Sequence, residues 1–230
     1  MDITGKWALV TGASRGVGMR VARGLAGKGA KVILHSRTLA GTSAVRAEIE
    51  NAGGTAVSVQ GELTDESALS ALIARVTEIT GGQLDILYNN AGVMSTSAGA
   101  FTHPVSDYQR TLFVNAIAPI MLCDAFMPGM IERNWGRIVN VTSGVKDQPN
   151  IMPYSVSKAA LDRYVRDFVP TLAKTNVLMN LMDPGWLRTD MGGPNAPGDP
   201  DSVLPGALVP VLLDESAGSG VQYNAQDFRE

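Results

Sequence analysis

An α/β fold, with a doubly wound parallel sheet and helices on both faces, is what this chain of 230 residues predicts. Three observations carry that expectation. Short apolar runs of strand length alternate with longer amphipathic stretches of helical period. Nearly every break between them holds Gly, Asn or Asp, residues that turn a chain. The first strand also runs directly into a glycine-rich turn that opens a helix, the beginning of a βαβ unit.

In chain order, Trp7 to Thr11, Lys31 to His35, Ala56 to Gln60, Ile86 to Asn89, Arg137 to Val141 and Val177 to Asp183 read as strands. Val221 to Asn224 is a candidate seventh. Helices are expected at Val17 to Lys28, Leu39 to Ala52, Glu66 to Thr80, Val105 to Asn134 and Tyr154 to Lys174. Pro128 and Pro170 fall inside the last two, and breaks are expected there because each removes an intrahelical hydrogen bond. Residues 192–205, rich in Gly, Pro, Asn and Asp, read as a short loop on the substrate side, so a single domain over residues 1–230 is expected. In open parallel sheets ligands bind beyond the carboxyl ends of the strands, which directs the search for chemistry there.

A formal charge of −3 and a pI near 5.4 leave no basic face, so nucleic acid is not an expected partner. Cys123, the single cysteine, has no internal disulfide partner, and residues 1–5 lack the charged-then-apolar build of a secretory signal, which suggests a cytoplasmic setting. The longest apolar stretch, Phe113 to Ile131, contains Asn115, Asp124 and two prolines, costly in hydrocarbon; a buried or interface helix is expected, not a membrane span. His35 and His103 are isolated, so no metal site is expected, and His35 reads as a packing or turn residue.

The first turn is Thr11-Gly12-Ala13-Ser14-Arg15-Gly16-Val17-Gly18. Its glycines allow a tight turn and close approach of backbone to a pyrophosphate, while the following helix supplies free N–H groups and the positive end of its dipole. Strand, glycine turn and helix together read as the Rossmann-like cradle of a dinucleotide. The spacing, three residues between the first two glycines and one before the third, departs from the common G-x-G-x-x-G fingerprint.

That spacing is similar to the short-chain dehydrogenase/reductase family. The resemblance runs from Gly5 to about Asp190 and includes Asn89-Asn90-Ala91-Gly92, Asn115, the strand ending at Ser143, Tyr154-x-x-x-Lys158 and Pro184-Gly185. The wording Pro184-Gly185-Trp186-Leu187-Arg188-Thr189-Asp190-Met191 resembles the carbonyl reductases within the family. The resemblance implies a nicotinamide-dependent oxidoreductase acting on a small-molecule carbonyl or alcohol, as a dimer or tetramer. The apolar helices at Val105 to Asn134 and Tyr154 to Lys174 are long enough for such an interface.

For the cofactor, an acidic residue after the second strand would accept the ribose hydroxyls of NAD and repel a 2′-phosphate. Ser36-Arg37 stands there instead, and the fork-like donors of Arg37, with Arg15 nearby in the turn, favour NADP(H), NAD(H) remaining open. Leu63 is expected to contact the adenine through its backbone, although Glu62 replaces the Asp of many relatives. Asn90, Ala91 and Gly92 should line the middle of the cofactor. Beside Pro184 and Gly185, the backbone of Leu187 and the hydroxyl of Thr189 are implied as holders of the carboxamide.

Tyr154 and Lys158, four apart, lie on one face of a helix, where an ammonium would draw a phenol down from its ordinary pKa of about 10. In the family the tyrosine is the proton donor or acceptor, the lysine also holds the nicotinamide ribose, and the serine at Ser143 holds the substrate oxygen. Thr142 is the competing strand-end hydroxyl. Asn115, a buried amide that must find partners, is implied to disturb its helix and to hold a water that relays protons to the lysine. Ser143 and Tyr154 are eleven positions apart, where relatives commonly have one or two more. Competing readings are an NAD-linked alcohol dehydrogenase, a non-redox epimerase or dehydratase, and a non-catalytic cofactor-binding protein with the same fold.

Overall fold

The computed structural model describes residues 1–96 and 99–228. Seven strands, β1 (Trp7–Val10), β2 (Lys31–Ser36), β3 (Thr55–Gln60), β4 (Ile86–Asn89), β5 (Gly136–Val141), β6 (Val177–Asp183) and β7 (Gln222–Asn224), form one parallel sheet. Their order is β3-β2-β1-β4-β5-β6-β7. The chain therefore winds outward from β1, returns to β4 and winds the other way. The reversal between β1 and β4 leaves a crevice at their carboxyl ends, the place where such sheets bind ligands.

The helices are α1 (Gly16–Gly27), α2 (Ser43–Asn51), α3 (Glu66–Thr80), α4 (Val105–Leu112), α5 (Ala118–Glu132) and α6 (Met152–Leu172). The period-two pleat sends alternate strand residues to opposite layers. Ala8, Val10, Val32, Leu34, Ile86 and Tyr88 meet Val21 and Leu25 of α1 and Val45 and Ile49 of α2. Leu9, Ile33, Leu87 and Ile138 meet Leu69 and Leu72 of α3, Leu122 and Phe126 of α5 and Val165 of α6. Burying one such side chain is worth about 2 kcal/mol, several times a surface pair such as Arg46–Glu50. Packing on two faces, more than surface charge, therefore holds the sheet.

Helix ends follow local chemistry. The Asp65 carboxylate caps α3 by accepting from the Ala68 N–H at 2.8 Å, and Gly81, at φ 60°, ends it in the left-handed conformation.

The expected breaks at Pro128 and Pro170 do not occur: α5 and α6 run through both. Each proline lies within the last turn or so of its helix, where it costs a single hydrogen bond, and packing on the sheet outweighs that loss. The expected helix from Val105 to Asn134 is interrupted elsewhere, at a π-helical turn over Phe113–Ile117 centred on Asn115. The expected helix from Leu39 begins as a 3-10 turn, Leu39–Thr42, before α2. Val105–Glu132 is long and apolar enough to cross a membrane by length and composition alone, but half of its most apolar window is buried in the fold.

The segment 192–205 is tied down rather than loose. Leu187 bridges to Gly198, Pro200–Val203 forms a 3-10 turn, and the Arg20 guanidinium of α1 donates to Asp201 at 2.5 Å.

Candidate active site

The crevice is built from glycines that admit no substitute. Gly12 sits at φ 65°, and a Cβ there would stand 2.9 Å from the Ala91 Cα. A Cβ on Gly18 would collide with the Gly12 carbonyl and the Asn90 amide. Helix α1 starts behind an extended Arg15, with no side chain capping it and no acidic residue in its first turn. Its leading N–H groups are thus left to an anion, as in a phosphate cradle.

The Asn90 side chain is turned into this loop, donating to the Thr11 and Gly12 carbonyls at 2.8 and 3.2 Å. In return the Thr11 hydroxyl accepts from the Asn90 and Ala91 N–H groups at 3.0 Å each. Ser14 and Val17 are half-buried along the cradle. Arg37, just past β2, is exposed and makes no ion pair among the described residues. Arg15 is engaged: its guanidinium pairs at 2.8 Å with Asp190 from the segment after β6. Leu63 is packed into the core, leaving only its backbone for a ligand.

At the neighbouring strand ends the catalytic candidates converge. Tyr154 and Lys158, in the first turns of α6, are 7% and 5% exposed. The Tyr154 N–H donates to the Ser95 hydroxyl at 3.1 Å, and the Lys158 ammonium donates to the Val141 carbonyl at 2.7 Å, 5.8 Å from the centre of the Tyr154 ring. The Ser143 hydroxyl accepts from the Val145 N–H at 3.2 Å and lies close enough to the Tyr154 phenol to lower its pKa. Thr142 is occupied elsewhere, donating to the Asp162 carboxylate at 2.5 Å. Of the two strand-end hydroxyls, Ser143 is therefore the one beside the tyrosine.

Asn115 is fully buried in the π turn and completely hydrogen-bonded. Its oxygen accepts from the Val93 N–H at 2.8 Å, and its amide donates to the Val93 carbonyl and the Ser157 hydroxyl at 2.9 Å each. Ser157 in turn donates to the Tyr154 carbonyl at 2.7 Å. The side chain is a clasp between the segment after β4 and the first turn of α6, which carries Tyr154. A Cβ on Gly92 would stand 3.4 Å from the Asn115 oxygen and 3.8 Å from the Lys158 nitrogen, so the cofactor-side loop reaches the same point.

Burial pushes the Tyr154 phenol above its ordinary value; the Ser143 hydroxyl opposes this, and the Asp183 and Asp162 carboxylates add to the rise. The lowering expected from Lys158 does not dominate because its ammonium is turned to the Val141 carbonyl. Burial also lowers Lys158 to about 8, against the opposing pull of Asp162 and Asp183. These two carboxylates went unnoticed in the sequence, though Asp162 lies one turn beyond Lys158 and Asp183 directly precedes Pro184-Gly185. Ser95 offered no sequence signal.

The segment after β6 closes the far side. Gly185, at φ 82°, receives Asp183 on its N–H at 2.9 Å, and Gln226 donates to the Pro184 carbonyl at 2.8 Å. The buried Leu187 accepts from the Thr189 N–H at 2.7 Å, and the Thr189 hydroxyl accepts from the Gly192 N–H at 3.2 Å. The Thr189 methyl lies 3.5 Å from where a Cβ on Gly16 would be, so this segment meets the cradle across the crevice. A cavity of about 430 Å³ at the amino ends of the strands, lined by Lys6, Trp7, Lys31, Asp85 and Trp135 among others, contains none of these groups.

Residues 6–199 match the short chain dehydrogenase family. The chain belongs to the short-chain dehydrogenase/reductase family. It is an oxidoreductase of that family, as its relatives are. It is 35% identical to the ketoacyl reductase HetN of Nostoc over 187 residues, 80% of this chain and 64% of that protein. To the 3-oxoacyl-[acyl-carrier-protein] reductase FabG of Aquifex aeolicus it is 34% identical, over 83% of this chain and 77% of the relative. Among solved structures, a 3-oxoacyl (acyl-carrier-protein) reductase of Agrobacterium tumefaciens C58 with NADP bound superposes with a TM-score of 0.86 at 30% identity, covering 96% of this chain and 93% of that one. The landomycin C-6 ketoreductase LanV, with NADP and rabelomycin, superposes with a TM-score of 0.83 at 32% identity, covering 97% and 96%.

Proposed function

We propose that this member of the family is an NADP(H)-linked reductase of a small-molecule carbonyl, interconverting it with the alcohol, with Tyr154 as general acid/base. The observation that carries the reading is the meeting of the buried Tyr154 and Lys158 with the strand-end Ser143 at the carboxyl ends of the strands, where the glycine cradle also lies. The absence of an acidic residue at Ser36-Arg37, the Arg37 guanidinium with no ion pair among the described residues and the NADP-bound relatives support the phosphorylated coenzyme; NAD(H) is the weaker alternative.

In this reading Gly12, Ser14, Gly16, Val17 and Gly18 hold the pyrophosphate, and Arg37 takes the 2′-phosphate, joined by Arg15 once it leaves Asp190. The Leu63 backbone meets the adenine, while Asn90, Ala91 and Gly92 line the middle. Pro184, Gly185, Leu187 and Thr189 orient the nicotinamide carboxamide. Bound there, the coenzyme supplies a hydride for the carbonyl carbon.

The Ser143 hydroxyl donates to the substrate oxygen, a contact that strengthens as negative charge develops, worth about 10²–10³ in rate by analogy with oxyanion donors. Tyr154 delivers the proton to that oxygen, worth about 10²–10⁴. Burial raises its pKa further, so the phenol holds its proton at neutral pH. Lys158 holds positive charge beside the tyrosine and reaches the ribose, and Asn115 fixes the catalytic turn.

We take the working form to be a single domain assembled as a dimer or tetramer in the cytoplasm. Ile117, Met152 and Val156, 41%, 38% and 39% exposed around α5 and α6, support an interface there.

Tyr154→Phe tests the reading. NADPH binding should persist while carbonyl-dependent NADPH oxidation falls by at least about 10²-fold; wild-type turnover in that variant would remove Tyr154 from the chemistry.

A further inference from the structure

His35 is the next-to-last residue of β2 and is 2% exposed. Its ring lies between two segments of the proposed cofactor crevice. Nδ1 accepts from the Gly12 N–H at 3.3 Å, and Nε2 stands 3.0 Å from the Gly61 carbonyl oxygen. Its own carbonyl accepts from the Ala13 N–H at 2.8 Å. Gly12 opens the phosphate cradle, Gly61 precedes Glu62-Leu63 on the adenine side, and Arg37 follows His35 by two residues. One side chain thus joins the two segments that would grip the phosphates and the adenine, from a strand end two residues before the Arg37 that would grip the 2′-phosphate.

We propose that His35 is a positioning residue of the cofactor site, setting the distance between the phosphate cradle and the adenine-side loop through a neutral imidazole that carries its proton on Nε2.

The tautomer follows from the partners. A backbone N–H can only donate, so Nδ1 must be bare; a backbone carbonyl can only accept, so Nε2 must bear the hydrogen. A charged ring would set an Nδ1–H against the Gly12 N–H and break the link to the cradle. The ring's surroundings favour the neutral form: burial lowers its pKa to about 4, opposed only by the Gly61 carbonyl, with no charged side chain contributing. The inference rests on the coenzyme reading above, but the tautomer can be measured without it.

Two measurements test it. The chain has two histidines, so ¹⁵N-labelled histidine gives two assignable rings, with His35→Asn removing one. The His35 ring should be neutral at pH 6 with its proton on Nε2; a charged ring or an Nδ1–H tautomer would overturn the proposal.

Fluorescence titration with NADPH should show His35→Leu binding about 10–100-fold more weakly, the loss expected when a backbone donor and acceptor are stripped of partners. His35→Asn, whose amide oxygen can stand where Nδ1 was, should recover most of that affinity, and in both variants the loss should fall on the KM for NADPH more than on kcat. A folded Leu variant with wild-type affinity, or an Asn variant no better than Leu, would overturn the positioning role. If the wild type itself binds no NADPH, the coenzyme reading fails and the cofactor role of His35 with it, while the ring spectrum still decides the tautomer.

Discussion

The Lys158 ammonium donates to the Val141 carbonyl at 2.7 Å and lies 5.8 Å from the centre of the Tyr154 ring, which places a buried cation between β5 and the catalytic turn of α6. Burial has brought it from 10.5 to about 8, so the charge is present below that pH and lost above it. If the reaction needs the ammonium, kcat/KM should fall as pH rises through about 8. The Asp162 carboxylate opposes the lowering, so Asp162→Asn should move the fall to lower pH. A pH profile for the two proteins checks this; an unmoved basic limb would detach Asp162 from the lysine.

Asn115 fastens Val93 on both its N–H and its carbonyl. Removing the amide orphans both groups and the Ser157 contact, at about 1–3 kcal/mol for each buried group left unpaired. Asn115→Ala should lower unfolding free energy by about 2–4 kcal/mol in urea and reduce turnover as α6 loses its register. A variant of unchanged stability would show that the clasp carries no energy.

Two glycines of α1 should respond in opposite directions. Gly18→Ala drives a methyl into the Gly12 carbonyl and should weaken NADPH binding by more than about tenfold, a loss of at least about 1.4 kcal/mol. Gly27→Ala, at the end of the same helix with nothing within 4 Å of the added carbon, should raise stability by about 0.5–1 kcal/mol and leave binding alone. Coenzyme titration and thermal melts separate the two.

Acid should find His35. Its ring is held neutral with a pKa near 4 against 6.5 for an exposed histidine, so the folded state takes up fewer protons than the unfolded chain. The stability that this neutral ring provides is complete above about pH 6.5 and declines as pH falls toward 4, by about 3 kcal/mol at the lower limit. Urea titrations at pH 7 and 4.5 should show a smaller decrease for His35→Asn than for the wild type. Equal decreases would place the acid sensitivity elsewhere.

The elements that the sequence made legible are those that repeat a simple period or a fixed motif. The apolar runs give six strands almost to the residue, with the seventh at Gln222–Asn224, and the glycine turn falls between β1 and α1. The i, i+4 rule puts Tyr154 and Lys158 on one helix face and Ser143 closes a strand, while their grouping into one site is what the family resemblance implied. Other features depended on tertiary partners. Breaks were expected at Pro128 and Pro170 because the packing that carries both helices through them is invisible in a local window. The Asn115 clasp needed Val93, twenty-two residues away, and Ser157, forty-two away. His35 read as a packing residue because its partners, Gly12 and Gly61, approach it from other strands. Arg15 read as free for phosphate, and its pairing with Asp190 shows only when the segment after β6 folds across the crevice.

The central claim is an NADP(H)-linked reductase, and fluorescence titration of the purified protein with NADPH and NADH, alongside Arg37→Asp, tests it most directly. Tight NADPH binding, much weaker NADH binding and reversal of that order by Arg37→Asp are the predicted results, with carbonyl-dependent NADPH oxidation to follow on a panel of ketones. Binding of neither coenzyme would contradict the account and leave the crevice without the chemistry assigned to it.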